Sequence, residues 1–441
     1  MANHVFIKDK IKSFDEKIKV ASDKSISIRT ILLASQAVGI SKISNLLESE
    51  DVLNALNTIK KLGINYKKKK NIYHIQGYGL NGFNVKKKTT INAGNSGTLA
   101  RLILGLLVKS KTKIKLVGDK SLSKRDFSRV IKPLKLFGAN IKSNKNLLPI
   151  EILGTDFLRP INYNENIGSA QVKSSIIFSA LNTPGISIIN SKNSRNHTEL
   201  MLKFLKYPIN IQSKRGFDRI SIKGLNQFKS FEYKVPCDIS SASFFIVLTL
   251  LSKKSQMIIE NVNINKSRTG IITILNKMNA NIKLKNKYIY NGEAIADIHV
   301  KSKLDLHSIN CPSKLNSTAI DEFLIIFLVA AKAKGISKFK DLGEMNKKES
   351  KRLDLAVKFL KLIGVKVERF QNDINIHGNP NLILTKSFEI KNYLKDHRIF
   401  FLSCITALSL GGKWKINDKD SMNTSFPNFL KTLKKIGAKI N

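Results

Sequence analysis

Apolar residues recur three and four positions apart in six segments of the chain, and each segment ends at glycine or a similar residue. In the first, Val52, Leu56 and Ile59 precede Gly63. This spacing places apolar side chains on one stripe of a helix, and a glycine after the last turn supplies the left-handed conformation that ends it. A short alternating strand follows each helix. The predicted helices and their end residues are 52–62 with Gly63, 130–137 with Gly138, 200–205 with Tyr207, 271–278 with Asn279, 353–363 with Gly364 and 429–436 with Gly437.

The six end positions are almost evenly spaced along the chain. They lie at 63, 138, 207, 279, 364 and 437, so successive differences are 75, 69, 72, 85 and 73. A period this regular marks repeated supersecondary units. Each repeat has room for two helices and several strands, and 441 residues exceed one ordinary core. We therefore predict six α/β units, three in each of two domains.

Four further helices are predicted to begin with small hydroxyl or amide residues. Capping alone explains any single one of these starts. Free N–H groups and the positive end of the helix dipole also make such starts natural sites for phosphate or carboxylate. Ser25 and Arg29 are four apart and share a helix face, so with Lys24 they could hold one dianion. The starts and the helices they open are 25–29 with 30–38, 95–98 with 99–108, 168–171 with 172–181, and 238–241 with 242–251.

Three more clusters carry charge that a plain core does not need. Lys348 and Arg352 are four apart, which predicts one helix face with Glu349 beside them. Asp321 precedes an apolar helix at 323–331, and Asp396 precedes another at 399–408. Acids near the positive end of a helix commonly serve stability alone. Charged groups clustered in this way are also candidates for catalysis.

The chain is strongly basic, with 76 Lys plus Arg against 32 Asp plus Glu and a formal net charge of +44. Such a balance raises the possibility of nucleic-acid binding. The excess is mostly Lys and accompanies many Asn and Ile, three residues whose codons can consist wholly of A and T. The basic runs 67–70 and 86–88 lie between apolar segments and are predicted to be solvated hairpin tips. We therefore favour compositional drift over a nucleic-acid surface.

Cysteine, histidine and terminal residues give no sign of metal binding or export. Cys237, Cys311 and Cys404 lie far apart, and the seven histidines show no ligand spacing. Disulfides, structural zinc and cofactors are therefore not expected, and a reducing, cytoplasmic compartment fits. Residues 5–7 are strand-like, without the apolar core of a signal peptide. The apolar run 323–331 is too short to cross a bilayer.

These motifs, taken in order, resemble those of the enolpyruvyl transferase family, and specifically 5-enolpyruvylshikimate-3-phosphate synthases. Each motif is weak by itself, whereas the ordered set is highly specific and extends from about residue 18 to 430. The matching segments are 23–29, 92–98 with Arg101 and Leu102, 118–125, 169–174, 194–199, 238–242, 268–270, 320–322, 348–352 and 396–398.

The resemblance implies a fold of two domains, each built from three α/β units, with helix N-termini facing the interdomain cleft. The N-terminal strand would cross over, so that residues 1–20 join 240–441, while 21–239 form the inserted domain. Hinges would lie near residues 21 and 238. The implied reaction transfers the enolpyruvyl group of phosphoenolpyruvate to the 5-hydroxyl of shikimate 3-phosphate, through a tetrahedral intermediate and with release of phosphate. The implied enzyme is a monomer without cofactor, metal, membrane or specific nucleic-acid partner.

The resemblance also implies a role for each matched residue. The catalytic residues would be Asp321, Glu349 and Lys24. Asp321 would accept the proton of the 5-hydroxyl, Glu349 would protonate the methylene carbon, and Lys24 would contact both substrates. Shikimate 3-phosphate would be bound by Lys24, Ser25, Arg29, Ser169, Ala170, Gln171, Ser194, Arg195, Asp321 and Lys348. Phosphoenolpyruvate would be bound by Lys24, Gly97, Arg125, Gln171, Arg352 and Arg398.

The chain departs from the family pattern at several positions. The departures are Ala21 and Ser22, Ile28, Asp126, Cys237, Asn346, and Asn423 with Thr424. They bear on affinity and turnover more than on the type of reaction.

Two other functions are compatible with parts of the sequence. The related transferase acting on UDP-N-acetylglucosamine usually has a Lys-Asn pair and a catalytic Cys, whereas this chain has Lys24-Ser25 and no Cys between 21 and 236. A basic RNA-binding protein should place aromatic stacking residues beside its lysines, but Tyr66 and Tyr73 are isolated.

Overall fold

The structure is a computed structural model that describes residues 3–85, 87–214 and 216–441. Its strands are β1 His4–Ile7, β2 Asp15–Ile18, β3 Val38–Ser44, β4 Tyr66–Lys69, β5 Ile72–Tyr78, β6 Thr89–Asn92, β7 Ile114–Val117, β8 Asn140–Ser143, β9 Ile150–Leu153, β10 Asn162–Glu165, β11 Ile186–Lys192, β12 Ile209–Lys214, β13 Phe217–Lys223, β14 Glu232–Lys234, β15 Gln256–Asn263, β16 Asn281–Tyr290, β17 Glu293–Lys301, β18 Asn310–Cys311, β19 Gly335–Phe339, β20 Val367–Phe370, β21 Asp373–Gly378, β22 Leu384–Ile390 and β23 Gly411–Asn417.

Helices alternate with these strands along the chain. The α-helices are α1 Lys24–Ala34, α2 Glu50–Lys61, α3 Gly97–Leu106, α4 Ser128–Phe137, α5 Ala170–Leu181, α6 His197–Phe204, α7 Ile239–Leu251, α8 Gly270–Lys277, α9 Asn316–Ala319, α10 Phe323–Lys332, α11 Arg352–Leu362, α12 His397–Leu410 and α13 Phe429–Lys435. Short 3-10 helices lie at Leu122–Lys124, Ser313–Leu315, Gly343–Lys347 and Lys419–Thr424.

The described strands form six sheets that follow one connection rule. In every sheet the first two strands, in the order given below, are parallel, and the second and third are antiparallel. This repetition confirms the six predicted α/β units. The orders are β14-β3-β5-β4, β6-β7-β9-β8, β10-β11-β13-β12, β2-β15-β17-β16, β18-β19-β21-β20 and β22-β23-β1.

The last unit lacks the strand that was predicted after its helix. Its sheet has three strands, and residues 438–440 are not part of any strand. Asn441 nevertheless exchanges two backbone hydrogen bonds with Phe6 of β1, at 2.9 and 3.1 Å.

The chain divides into two compact units, each containing three of the sheets. The inserted unit comprises Ser22–Val235 with Tyr290–Glu293. The terminal unit comprises the described residues up to Ala21, together with Pro236–Ile289 and Ala294–Asn441. Residues 1 and 2 of the predicted domain 1–20 lie outside the described part. The predicted hinges near residues 21 and 238 remain a prediction.

Each unit combines three strongly buried helices with three amphipathic ones, and the terminal unit also contains the short helix α9. Helices α1, α3 and α5 occupy the core of the inserted unit, and α7, α10 and α12 that of the terminal unit. All thirteen residues of α7 are buried, which suits a helix that is apolar on every side. The amphipathic helices α2, α4, α6, α8, α11 and α13 correspond to the six helices predicted from the apolar spacing.

Left-handed residues end these amphipathic helices, as the sequence predicted. Gly63, Gly138, Asn279, Gly364 and Gly437 all have positive φ, between 70° and 111°. In the third unit the left-handed residue is Lys206, with φ of 55°, and not the predicted Tyr207. The tyrosine side chain is buried instead, so the turn falls one residue earlier.

Four of the buried helices begin earlier than predicted. Helix α1 starts at Lys24, and it ends at Ala34 because strand β3 begins at Val38. Helices α3, α5 and α7 likewise start at Gly97, Ala170 and Ile239. The small polar residues that were expected to stand outside the helices therefore form their first turns.

The basic runs differ in position. Lys67 to Lys70 are exposed at the edge strand β4 and its turn, as predicted. The run 86–88 begins at a residue outside the described part, and Lys87 and Lys88 precede β6 in a link between two sheets rather than at a hairpin tip. Among the described helices, none combines the length and apolar character needed to cross a membrane.

Candidate active site

Lys24 is placed where the first turns of two helices meet. It begins α1, after Asp23, whose side chain accepts a hydrogen bond from the Ile26 N–H at 2.8 Å. The Lys24 ammonium lies 2.8 Å from Oδ2 of Asp51 in the first turn of α2. Because both helix dipoles are positive at this end, a phosphate or carboxylate beside Lys24 would be stabilised.

Arg29 is buried and connects three helices of the inserted unit. Its Nη1 donates to the Ser25 carbonyl at 3.0 Å, on the same face of α1. Its Nε donates to Thr198 Oγ1 at 2.8 Å and its Nη2 to Ser174 Oγ at 3.0 Å. Thr198 and Ser174 lie on α6 and α5, so Arg29 fixes the starts of α1, α5 and α6 relative to one another.

The first turn of α3 lies against two arginines and a glutamine. Gln171, in the first turn of α5, accepts from Arg101 Nη1 at 3.0 Å and donates to Thr98 Oγ1 at 3.0 Å. A Cβ at Gly97 would lie 2.8 Å from Arg101 Nη1 and 3.0 Å from Arg125 Nη1. The lack of a side chain at Gly97 therefore lets both guanidinium groups approach the helix N-terminus.

Arg125 is held by polar side chains of neighbouring loops. Its Nη2 donates to Asn95 Oδ1 at 2.8 Å, and Asn95 donates in turn to Asp119 Oδ2 at 2.6 Å. Asp119 also accepts from the Leu122 N–H at 2.7 Å. This chain of hydrogen bonds orients a guanidinium fork suited to carboxylate or phosphate.

A second loop pair lies at the starts of α5 and α6. Ser169 caps α5, and the Glu165 carboxylate accepts from the Gly168 N–H at 2.9 Å. Ser194 and Arg195 precede α6, and the buried Ser194 hydroxyl has no hydrogen-bond partner among the described residues. An unsatisfied buried hydroxyl is costly unless a ligand or water completes it.

The positions of α5 and α6 are set by a buried ion pair. Lys173 Nζ lies 2.7 Å from Glu199 Oε1, and the two side chains are 0% and 1% exposed. Lys173 follows Gln171 by two residues, and Glu199 follows Arg195 by four. The ion pair therefore fixes the first turns of α5 and α6, close in sequence to the predicted ligands Gln171 and Arg195.

In the terminal unit, Asp321 is surrounded by cations. Oδ1 of Asp321 lies 3.1 Å from Arg352 Nη1 and 3.4 Å from Lys348 Nζ. The Asp321 carbonyl accepts from Arg398 Nη1 at 2.7 Å. Asp321 precedes α10, Arg352 begins α11 and Arg398 lies in the first turn of α12, so the starts of three buried or half-buried helices bring these groups together.

Arg352 also contacts two further carboxylates. Its Nη2 lies 2.5 Å from Glu349 Oε2, and its Nε lies 2.9 Å from Asp396 Oδ2. Burial acts to lower the pKa of Arg352, but Asp396, Glu349 and Asp321 outweigh it and raise the pKa above its usual value. Burial likewise acts against ionised Asp396, yet Arg352 and His397 hold its pKa below the usual range.

Each unit therefore has a cluster of cations at helix starts, and in the terminal unit the carboxylates of Asp321 and Glu349 contact these cations. The profile of the EPSP synthase (3-phosphoshikimate 1-carboxyvinyltransferase) family matches residues 8–433. The chain belongs to the EPSP synthase family.

Individual relatives agree with this family assignment. The 3-phosphoshikimate 1-carboxyvinyltransferase of Ruthia magnifica subsp. Calyptogena magnifica is 39% identical over 437 residues, covering 99% of this chain and 98% of the relative. The solved EPSP synthase of Acinetobacter baumannii superposes with a TM-score of 0.87 at 33% identity, covering 99% of each chain.

A more distant structure shares the fold alone. The enolpyruvyl transferase NikO of Streptomyces tendae has a TM-score of 0.76 at 11% identity, over 100% of this chain and 99% of that one. The predicted two-domain enolpyruvyl-transferase fold is therefore confirmed.

One local prediction about the EPSP synthase motifs was wrong. Lys348 and Arg352 do not share a helix face, because α11 begins only at Arg352 and residues 348–351 precede it as loop. The loop nevertheless brings both cations to the same oxygen of Asp321. Asn346, where the family usually has Arg, accepts from the Leu353 N–H at 2.9 Å and so caps α11.

Other departures from the family pattern also have local structural roles. Asp126 accepts from the N–H of Ser128, the first residue of α4, at 2.8 Å. Thr424 shares a hydrogen bond with His397 Nδ1 at 3.2 Å. Ser22 and Cys237 are buried. Nothing in the structure explains the choice of Ala21.

Sequence reasoning left several supporting residues without a role. Arg101 lies four residues after Gly97, so the spacing along one helix face could have identified it. Ser174, Thr198 and Glu322 lie within matched motifs but received no role, and Asp51 lies outside the motifs. The partner of each is distant in sequence, so no local spacing indicates it. Only the fold brings such pairs together.

Proposed function

We propose that the chain transfers the enolpyruvyl group of phosphoenolpyruvate to the 5-hydroxyl of shikimate 3-phosphate, releasing phosphate. The transfer itself is the activity of the EPSP synthase family to which the chain belongs. The observation that best supports the assignment of residues is the cluster in which Asp321 contacts Lys348 and Arg352 while Glu349 contacts the same arginine.

The reaction requires balanced proton transfers. Addition removes a proton from the 5-hydroxyl and delivers a proton to the methylene carbon of phosphoenolpyruvate, which gives a tetrahedral intermediate. Elimination breaks the carbon–oxygen bond to phosphate and takes a proton back from the new methyl group, while the proton removed from the 5-hydroxyl leaves with the phosphate. We assign the first removal to Asp321 and the transfers at carbon to Glu349. Two carboxyls in different charge surroundings can act as base and acid at one pH.

Anion binding follows from the cationic helix starts. We assign phosphoenolpyruvate to Lys24, Gly97, Arg125, Gln171, Arg352 and Arg398. We assign shikimate 3-phosphate to Lys24, Ser25, Arg29, Ser169, Ala170, Gln171, Ser194, Arg195, Asp321 and Lys348. The buried, unsatisfied hydroxyl of Ser194 supports its role in binding shikimate 3-phosphate. The guanidinium fork of Arg125 beside Gly97 supports its role in binding phosphoenolpyruvate.

Arg29 is assigned a supporting as well as a binding role. Arg29 is 2% exposed, and three of its nitrogens donate to protein oxygens. Because Arg29 Nη1 donates to the Ser25 carbonyl, a phosphate bound at Ser25 would lie close to this buried positive charge. The electrostatic attraction of a buried guanidinium also extends over several ångströms in a low-dielectric site.

Release of inorganic phosphate tests the proposed function. The purified chain should release phosphate from phosphoenolpyruvate only when shikimate 3-phosphate is also present. UDP-N-acetylglucosamine in place of shikimate 3-phosphate should give no release. Two results would refute the assignment of substrate. One is phosphate release only when UDP-N-acetylglucosamine accompanies phosphoenolpyruvate, and the other is no phosphate release with shikimate 3-phosphate.

We further propose that the enzyme acts as a monomer in the cytoplasm. Light scattering after size-exclusion chromatography should give the mass of one 49.5 kDa chain. Cell fractionation should recover the protein with other cytoplasmic enzymes. A stable dimer or a membrane-associated pool would contradict these two statements without affecting the reaction.

A further inference from the structure

Glu322 is a buried carboxylate that directly follows the proposed base Asp321 in the sequence. Its side chain is 0% exposed, and it occupies the capping position of α10. Oε1 accepts a short hydrogen bond from the Ser240 hydroxyl and lies 3.9 Å from Arg398 Nη1. Oε2 is buried without a hydrogen-bond partner among the described residues.

A carboxylate this deeply buried needs cations to offset the loss of hydration. Two arginines are placed to supply that charge. Arg398 contacts Glu322 directly, and Arg268 Nη2 lies 2.8 Å from the same Ser240 hydroxyl that donates to Glu322. Arg268 in turn pairs with Asp238 at 2.8 Å. Glu322 therefore lies at the centre of a charge network that includes Arg398.

Arg398 is held by one hydrogen bond and one charge contact. Nη1 donates to the Asp321 carbonyl at 2.7 Å, and the same nitrogen lies 3.9 Å from Glu322 Oε1, an electrostatic contact longer than a hydrogen bond. Both interactions act on one end of the planar guanidinium. Arginine has five donors, so this leaves other N–H groups of Arg398 for an anionic ligand.

We propose that Glu322 is a positioning residue that orients Arg398 for binding the carboxylate of phosphoenolpyruvate. The inference rests on the proposed function, which assigns Arg398 to that substrate. The side-chain partners of Glu322 described above are Ser240 and Arg398, and neither is assigned to shikimate 3-phosphate. Its loss should therefore affect one substrate and not the other.

Glu322→Gln tests this role because it keeps the shape and the acceptor for Ser240 while removing the charge. The KM for phosphoenolpyruvate should rise about tenfold, the scale of coupling between members of one charge network. The KM for shikimate 3-phosphate and kcat should change by less than about twofold. Glu389→Gln, which alters an exposed carboxylate beside Lys415 in the same unit, should change none of these values.

A double-mutant cycle separates positioning from a purely structural role. Arg398→Lys should weaken phosphoenolpyruvate binding by itself, and adding Glu322→Gln should then cost little more. An unchanged KM for phosphoenolpyruvate in folded Glu322→Gln would overturn the inference, as would equal rises for both substrates or additive effects in the cycle. If Glu322→Gln does not fold, Ser240→Ala removes the hydroxyl that holds Oε1 and should produce the same selective rise.

Direct binding distinguishes failure of the inference from failure of the proposed function. Thermal-shift titration with phosphoenolpyruvate reports binding without turnover. A wild-type chain that binds phosphoenolpyruvate but does not transfer it would refute the function, while weaker binding by Glu322→Gln would still support the inference. A wild-type chain that neither binds nor transfers would refute both.

Discussion

Arg352 and Asp396 form a buried ion pair, with Nε 2.9 Å from Oδ2 and side chains that are 2% and 0% exposed. Asp396 also caps α12 and accepts from the Ser350 hydroxyl at 2.8 Å. The carboxylate therefore holds the loop that carries Lys348 and Glu349 against the start of α12. The position of the proposed catalytic groups depends on this pair.

Asp396→Asn should lower the free energy of unfolding by about 1.5–3 kcal/mol, the range for hydrogen bonds to charged groups. The loss of stability should stay below the cost of leaving a buried charge unpaired, because Arg352 still has Asp321 and Glu349 as ion-pair partners. Urea unfolding at neutral pH measures it. Asp420→Asn, which breaks the exposed pair with Lys395, is the control and should cost less than about 1 kcal/mol. Equal losses would contradict the role of burial.

The contribution of Asp396 should depend on pH. Its pKa in the folded chain is lowered, so the folded state favours the ionised form. The stabilisation is fully present above the unfolded pKa of about 3.9, and it is lost as pH falls through the folded pKa. The difference between wild type and Asp396→Asn should therefore be constant from neutral pH down to about pH 5 and should shrink below about pH 4. A difference in unfolding free energy that grows on acidification would contradict the lowered pKa of Asp396.

Asp321→Asn and Glu349→Gln should each lower kcat by about 10²–10⁴-fold, the scale for loss of one acid or base. Both amides keep the shape of the side chain. Binding of shikimate 3-phosphate should survive Glu349→Gln largely intact. If the two carboxylates served only as helix caps or ion-pair partners, melting temperature would fall and turnover of the folded variants would stay near normal. Measuring both quantities on each variant separates the two cases.

Gly97→Ala should raise the KM for phosphoenolpyruvate with little change in melting temperature. The added Cβ would meet Arg101 Nη1 at 2.8 Å and Arg125 Nη1 at 3.0 Å, so these flexible ends must move. Gly97 begins α3, where alanine is a better helix former than glycine. An unchanged KM would show that phosphoenolpyruvate binding does not depend on the present positions of the Arg101 and Arg125 guanidinium groups. A large drop in melting temperature would instead indicate a backbone clash.

The three cysteine thiols should react slowly in the folded chain. Cys237, Cys311 and Cys404 are buried free thiols, and burial raises the pKa of Cys237 to about 12 and that of Cys311 to about 11. Because the thiolate is the reactive form, each should resist alkylation at neutral pH. A chromogenic thiol reagent should detect three thiols per chain only after denaturation. Rapid reaction of any one in the native protein would contradict its burial.

The sequence by itself was sufficient for the repeat and for most helix ends. Apolar spacing located α2, α4, α6, α8, α11 and α13. Glycines such as Gly138 and Gly437 located the ends of two of these helices. Both signals are readable from the sequence because amphipathic periodicity and left-handed caps are local properties. The ordered motifs identified the family because they preserve residue types at fixed positions. Their local conformation was harder to predict. Residues 348–352 have helical spacing yet are mostly loop, since Asp396 and Asp321 hold them from outside the segment.

Only the tertiary structure decided which residues support the site. Lys24 with Asp51, Arg29 with Thr198, and Glu322 with Ser240 and Arg398 are pairs separated by 27 to 169 positions. No local pattern relates such residues, because each contact depends on how helices pack within a unit. Even the sixth sheet depends on this packing, since β1 from the N-terminus pairs with β23 from the C-terminus. Spacing along the chain determines elements and motifs, whereas burial and charge compensation between distant elements determine the partners of each proposed catalytic group.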